Sequence, residues 1–380
     1  MRRFCHRFFP LTICFVFLAV QMSRAAESLE QKLLPLLTAH QGKVGFAVKN
    51  LKTGESFAHQ ADLPMPTASL IKLPIMIEAY RQADAGKVAL QTPITLRAED
   101  KVPGSGILTQ HFSAGMTLPL QDAIHLMMVY SDNTATNLVL DQIGLPATNA
   151  TMAELKLPNT KIHAKVFRGS TSILPERSKQ FGLGSTTANE MIQLLEQLDQ
   201  GALASEAATK NMRRHLAMCE SKRLSKNLPS GVRVLQKTGS VTAVRTVAGI
   251  LELASGNVAV CLLTSENKDT RWTDANAGEV LSAKVGRVIY DHFQPRGEKT
   301  NTEQLVLRVG SQGNRVERLQ KALNEKMAPS PELTVDGEFG PQTRAAVVAW
   351  QKSQKLTDTG EVDLAAWKLL GLAEDAFRSD

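Results

Sequence analysis

Apolar and polar positions follow two different periods along this chain, and the change of period marks its elements. A helical stripe ends near Ala39. Then KVGFAVKNLKTGESFAHQ alternates across a Thr53-Gly54 turn, which predicts a β-hairpin. The middle third is mostly helical with loops. Past Val232 come VRVLQKTGSV, AVRTVAGILEL and NVAVCLLTSE, three predicted strands, the last two joined through ASGN. A final amphipathic helix is predicted from roughly Ala275 to Phe293. Strands at both ends with helices between them predict an α/β (α+β) domain, one antiparallel sheet with a helical subdomain inserted.

Periodicity lapses in FQPRGEKTNTEQ, a polar stretch with Pro and Gly that reads as a linker. Beyond it, Val316, Leu319 and Leu323 form a helical stripe, and Asp336-Gly337 makes a turn before Pro341, which suits a first helical position. TGEVDLAAWKLLG repeats the turn-then-helix scheme, with Trp367 and Leu370 inward. Three short helices around Leu319, Leu323, Val347, Trp350, Leu356 and Trp367 are expected to close a small all-α core. The opening residues differ from both units. Arg2, Arg3 and Arg7 precede an apolar run from Phe8 to Val20, and Ser23 and Ala25 supply small residues for cleavage. A signal peptide is expected, since the run is too short to span a bilayer. The expected division is a signal at 1–25, a large domain at 26–295, a linker at 296–303, a small domain at 304–371 and a tail at 372–380.

Composition narrows the function classes. The chain has 380 residues, 43% hydrophobic and 21% charged, enough for one large and one small globular domain. The formal charge of +7 falls to about +3 if the four arginines of the signal are removed. That is too mild to argue for nucleic acid, and no basic tract carries interleaved aromatics. Attraction to an acidic wall polymer stays open. Cys5 and Cys14 would leave with the signal, while Cys219 and Cys261 fit either a disulfide or two buried small hydrophobes. No Cys/His grouping has metal-ligand spacing, so neither a metal nor another cofactor is expected. A monomer without a stable membrane span is expected.

Three short motifs occur in order: SLIK at 69–72, SDN at 131–133 and KTG at 237–239. Each alone is weak. The S-x-x-K spacing recurs at Ser265 and Lys268, KTG recurs at the hairpin turn Lys52–Gly54, and SDN before TATNLVL reads equally as a helix cap. The order and the separations of about 60 and 105 residues set the trio apart. A serine hydroxyl needs a base, and Lys72, on the same helical face as Ser69, serves only when neutral. Lys237 can supply the charge that lowers its pKa. Ser131 can pass a proton to a leaving nitrogen, and Asn133 can hold a substrate amide. Lys237 and Thr238 can bind a carboxylate, and Gly239 allows close approach to the backbone.

With these motifs, residues 28–293 resemble the class A β-lactamase family of serine penicillin-recognising enzymes. VPGSGIL at 102–108, YSDNTATNLVLDQIG at 130–144 and STTANEM at 185–191 carry the resemblance further. It implies an oxyanion hole from the backbone N–H groups of Ser69 and Ser240. It also implies that Asn137 stands as a second asparagine of the substrate site and Arg245 as a carboxylate partner. The omega loop departs from the family's R-x-E-x-x-L-N pattern. With Arg168 as its arginine, Ser170 stands where the water-activating glutamate belongs, and Gly184 replaces an aspartate. Glu176 is either a surface residue or a displaced deacylation base. The segment from about 304 to 371 resembles the peptidoglycan-binding domain of bacterial wall hydrolases.

The implied function is an exported, periplasmic or wall-associated serine hydrolase that opens β-lactam amides through a Ser69 acyl-enzyme and is tethered to peptidoglycan. One alternative is a D-Ala-D-Ala peptidase acting on peptidoglycan stem peptides with slow deacylation. Another is a penicillin-binding receptor that stays acylated.

Overall fold

The computed structural model describes residues 27–294, 306–372 and Phe377. The expected signal peptide, the linker at 296–303 and nearly all of the tail lie outside the described residues. Five antiparallel strands form the main sheet: β1 (Lys43–Asn50), β2 (Ser56–His59), β3 (Val234–Val241), β4 (Val244–Leu251) and β5 (Val258–Ser265), in the order β2-β1-β5-β4-β3. The sheet is built from both ends of the unit, as the periodicity predicts. The Lys52–Gly54 motif is the turn between β1 and β2, with Gly54 at φ 79°. Ser265 ends a strand, so the second S-x-x-K lies on no helix.

Each sheet face buries a different core, which is why the central strands read as continuous apolar runs. Val258, Val260 and Leu262 of β5 pack with Leu29, Leu33 and Leu37 of helix Leu29–Thr38 and with Leu281, Val285 and Ile289 of helix Ala277–Phe293. Ala259, Cys261 and Leu263 face the helical subdomain, where Leu70, Ile75, Met127, Leu138 and Leu195 are buried. Cys219 and Cys261 are both free and buried, which decides against a disulfide.

In the C-terminal unit, helices Asn314–Lys326, Pro341–Ser353 and Leu364–Leu369 close on Leu319, Leu323, Val347, Trp350 and Trp367. Leu356 is only partly buried, and Phe339, which lies on no helix, joins the core. Two glutamines hold the two turns. Gln320 donates to Asp336 Oδ1 and Glu338 O and accepts from Gly337 N–H. Gln351 donates to Thr359 Oγ1 and Glu361 O and accepts from Gly360 N–H. The repeated turn-then-helix scheme of the sequence is thus also a repeat of side-chain bonding. Among the described residues no helix is long and apolar enough to cross a membrane.

Candidate active site

Ser69 and Lys72 lie across a change of helix type. A 3₁₀ turn, Ala68–Ile71, runs into helix Lys72–Asp84. Three residues per 3₁₀ turn stack positions i and i+3, so the two side chains share a face more closely than on an α-helix. Ala68, just before the serine, holds φ 45°, a conformation that costs a non-glycine residue about 1–2 kcal/mol. The rest of the fold must impose it. Ser69 lies in the first turn of the helical stack, where N–H groups lack intrahelical acceptors.

Helix Asn133–Ile143 is capped by Asp132, whose Oδ1 accepts from Ala135 N–H at 2.8 Å. Asp132 Oδ2 also accepts from Ile107 and Leu108 N–H at 2.7 and 2.8 Å, tying VPGSGIL to SDN. Gly106, at φ 115°, is needed there because a Cβ would come 2.3 Å from Asp132 Cγ. Ser131 is thereby fixed at φ 53° with its hydroxyl between two lysines. Lys237 Nζ donates to Ser131 Oγ at 3.0 Å and to Thr238 O at 2.8 Å. Lys72 Nζ meets Ser131 Oγ at 3.2 Å, Ser131 O at 2.6 Å and Asn133 Oδ1 at 2.9 Å. Burial, then the Lys237 ammonium, hold Lys72 well below the usual lysine range, with Asp132 pulling the other way. Burial lowers Lys237 to about 8, with Arg223 pushing in the same direction. A neutral Lys72 donates two N–H bonds to Ser131 O and Asn133 Oδ1 and keeps its lone pair for a hydroxyl proton.

β3 is an edge strand with its free side open to the cleft. The two-residue turn after Val241 closes on the pair Val241–Val244, so alternation sends the N–H groups of Thr238 and Ser240 to the open edge. Gly239 lets this edge reach Ser69. A Cβ on it would stand 2.4 Å from Thr67 O and 2.8 Å from Leu70 N. Its value is contact between strand and 3₁₀ turn, a different reason from the acyl-group clearance expected.

Three expectations change. Arg245 is buried and does not line the cleft, donating to Val241 O, Val244 O and Arg271 O and stacking on Trp272. Its register opposite Ser240 sends it under helix Ala277–Phe293, where Gly278 makes room for its methylenes. Arg223 occupies the cleft instead. It donates to Ser240 Oγ at 2.9 Å, to Gly239 O at 3.1 Å and to Thr246 O at 2.6 Å, and pairs with both Glu279 oxygens. Asn137 is not a cleft residue: it clamps the Val166 backbone, accepting from Val166 N–H at 2.8 Å and donating to Val166 O at 3.0 Å. Glu176 faces solvent with 85% of its side chain exposed, paired among the described residues to Lys179.

A cleft of about 1020 Å³ brings Ser69, Ser131, Asn133, Arg223, Lys237, Thr238 and Ser240 together. From the omega loop residues 164–169 line it and Ser170 does not. Of these, Val166 is the one whose backbone Asn137 clamps through both its N–H and its carbonyl. Arg223 carries no sequence signal, lying in CESKRLSKN between elements. Val166 was hidden because Arg168 is a misleading anchor in an aperiodic loop.

Fold and cleft together define a serine hydrolase. A family model described as the beta-lactamase enzyme family matches residues 28–293, so the chain belongs to that family and acts on β-lactam amide bonds. A peptidoglycan binding domain model matches residues 312–370. Beta-lactamase VEB-1 of Pseudomonas aeruginosa is 21% identical over 300 residues, 74% of this chain and 96% of that protein. The crystal structure of a beta-lactamase from Sphaerobacter thermophilus superposes with a TM-score of 0.62 at 31% identity, covering 70% of this chain and 97% of that one. The structure of PBP-A covers 70% and 95%, with a TM-score of 0.60 at 26% identity.

Proposed function

We propose that this chain opens β-lactams through an ester on Ser69, releases that ester slowly, and works as an exported enzyme held on peptidoglycan by its C-terminal unit. The observation that carries the chemistry is the chain Lys72–Ser131–Lys237 beside Ser69, with Lys72 depressed by burial. Neutral Lys72 takes the Ser69 proton as Oγ attacks the lactam carbonyl. The oxyanion lies between the Ser69 and Ser240 N–H groups. As the C–N bond breaks, the proton returns through Ser131 to the leaving nitrogen. Lys237, Thr238 and the charge of Arg223 hold the substrate carboxylate, and Asn133 holds its amide. Rapid mixing with a chromogenic cephalosporin tests this. A burst of about one equivalent followed by slow steady turnover is expected; no absorbance change and no adduct would refute it.

A second reading starts from Val166, an aliphatic residue rather than a base at the clamped position of the cleft-lining loop: the same acylation on wall peptides ending in a carboxylate, with an amine as acceptor in place of water. Release of a terminal D-amino acid from a stem peptide, faster than cephalosporin turnover, would establish it.

The pH dependence follows from the two lysines. Acylation needs Lys72 neutral, a form lost as pH falls, and Lys237 charged, a form lost as pH rises through about 8. The second-order acylation rate is expected to be bell-shaped with its basic limb near 8. A rate still climbing at clearly higher pH would contradict the role of Lys237.

The wall attachment rests on the C-terminal match and its independent core. The full chain should co-sediment with purified sacculi, and a chain ending at residue 294 should stay in solution while acylating normally. Equal sedimentation of both would remove the tether.

A further inference from the structure

Phe167 stands in a place that its residue type does not favour. Arg168 N–H donates to Lys165 O at 3.1 Å, closing a turn with Val166 and Phe167 at its centre. Phe167 takes φ 55° at the third position, where glycine or asparagine is the usual residue and a bulky aromatic is an outlier. The residue is 64% exposed and belongs to none of the hydrophobic cores among the described residues. The turn does not depend on the ring, since Asn137 grips both backbone groups of Val166. A strained, exposed aromatic on a rigid loop points to a contact made outside the fold.

The surroundings say which contact. Phe167 lines the same cleft as Ser69. A Cβ on Gly104, itself at φ 91°, would meet Phe167 Cε2 at 3.3 Å and Asn133 Nδ2 at 2.7 Å, so ring, glycine and amide converge on one spot. Asn133 spends one N–H on Pro103 O at 3.0 Å, and the amide has a second to offer. A substrate amide held by that N–H puts its acyl substituent beside the ring. We propose that Phe167 is an aromatic platform for the acyl side chain, so that the cleft selects β-lactams bearing an aromatic acyl group over those bearing a small one. This rests on the Ser69 reading above and adds a specificity-determining residue to it.

The test compares acylation of the full chain by benzylpenicillin and by a penicillin whose acyl group is acetyl, followed by adduct mass. Phe167→Asn removes the ring but keeps a residue that tolerates the turn. It is expected to slow benzylpenicillin about 5–30-fold and the acetyl compound less than about 2-fold. Its unfolding temperature should stay level or rise, and Phe167→Tyr should keep the preference. Equal slowing of both penicillins, or of neither, overturns the platform while leaving Ser69 in place. Wild-type protein acylated by neither overturns the Ser69 reading, and the platform with it.

Discussion

Val166→Glu is expected to shorten the life of the Ser69 acyl-enzyme by about 10²–10⁴-fold, the usual contribution of a positioned general base. That is roughly 3–5 kcal/mol off the deacylation barrier. The geometry favours a large effect because the backbone at 166 is already held by both amide atoms of Asn137, and the residue is among those lining the cleft. Acylation should change little, since the Lys72–Ser131–Lys237 chain is untouched. Val166→Gln, with similar shape and no basic oxygen, should decay like wild type. Ser170→Glu and Glu176→Gln should also leave the lifetime alone, because both positions face solvent. The account fails here if Ser170→Glu accelerates decay and Val166→Glu does not. Adduct loss followed by intact mass separates the outcomes.

Ser69→Ala should abolish covalent labelling by penicillin altogether. It should cost almost no stability. Ser69 is half-buried, and its hydroxyl has no hydrogen-bond partner among the described residues, so its removal strands no buried group. Thermal unfolding within a degree or two of wild type, with no adduct at any time, is the expected pair of results. Labelling that persists in this variant would move the nucleophile elsewhere, Ser265 being the other serine with a lysine three residues on.

The parts of this molecule legible in its sequence are those fixed by short-range geometry. SLIK, SDN and KTG each place their residues within one turn of helix or one strand pair, so spacing alone carries the chemistry. The strands around Val247 and Val260 are equally plain, since burial on both faces leaves an unbroken apolar run. What escaped reading depends on long-range register. Arg245 is as close in sequence to Lys237 as a carboxylate partner should be, yet its pairing with Ser240 puts it on the sheet face opposite Lys237, where its guanidinium is spent on Val241 O, Val244 O and Arg271 O. Arg223 reaches the cleft from an irregular segment whose course is set by Glu279, far away along the chain. The omega loop has no period, so an arginine was its sole anchor, and the grip of Asn137 on the Val166 backbone is a long-range contact that no spacing announces.

The central claim is that Ser69 carries the acyl group. The most direct measurement is peptide mass mapping of the full chain quenched within seconds of mixing with benzylpenicillin. The account predicts one equivalent of adduct, on the peptide containing Ser69 and nowhere else, forming faster than it decays. An adduct on the Ser265 peptide, or β-lactam opening with no adduct on any serine, would contradict it.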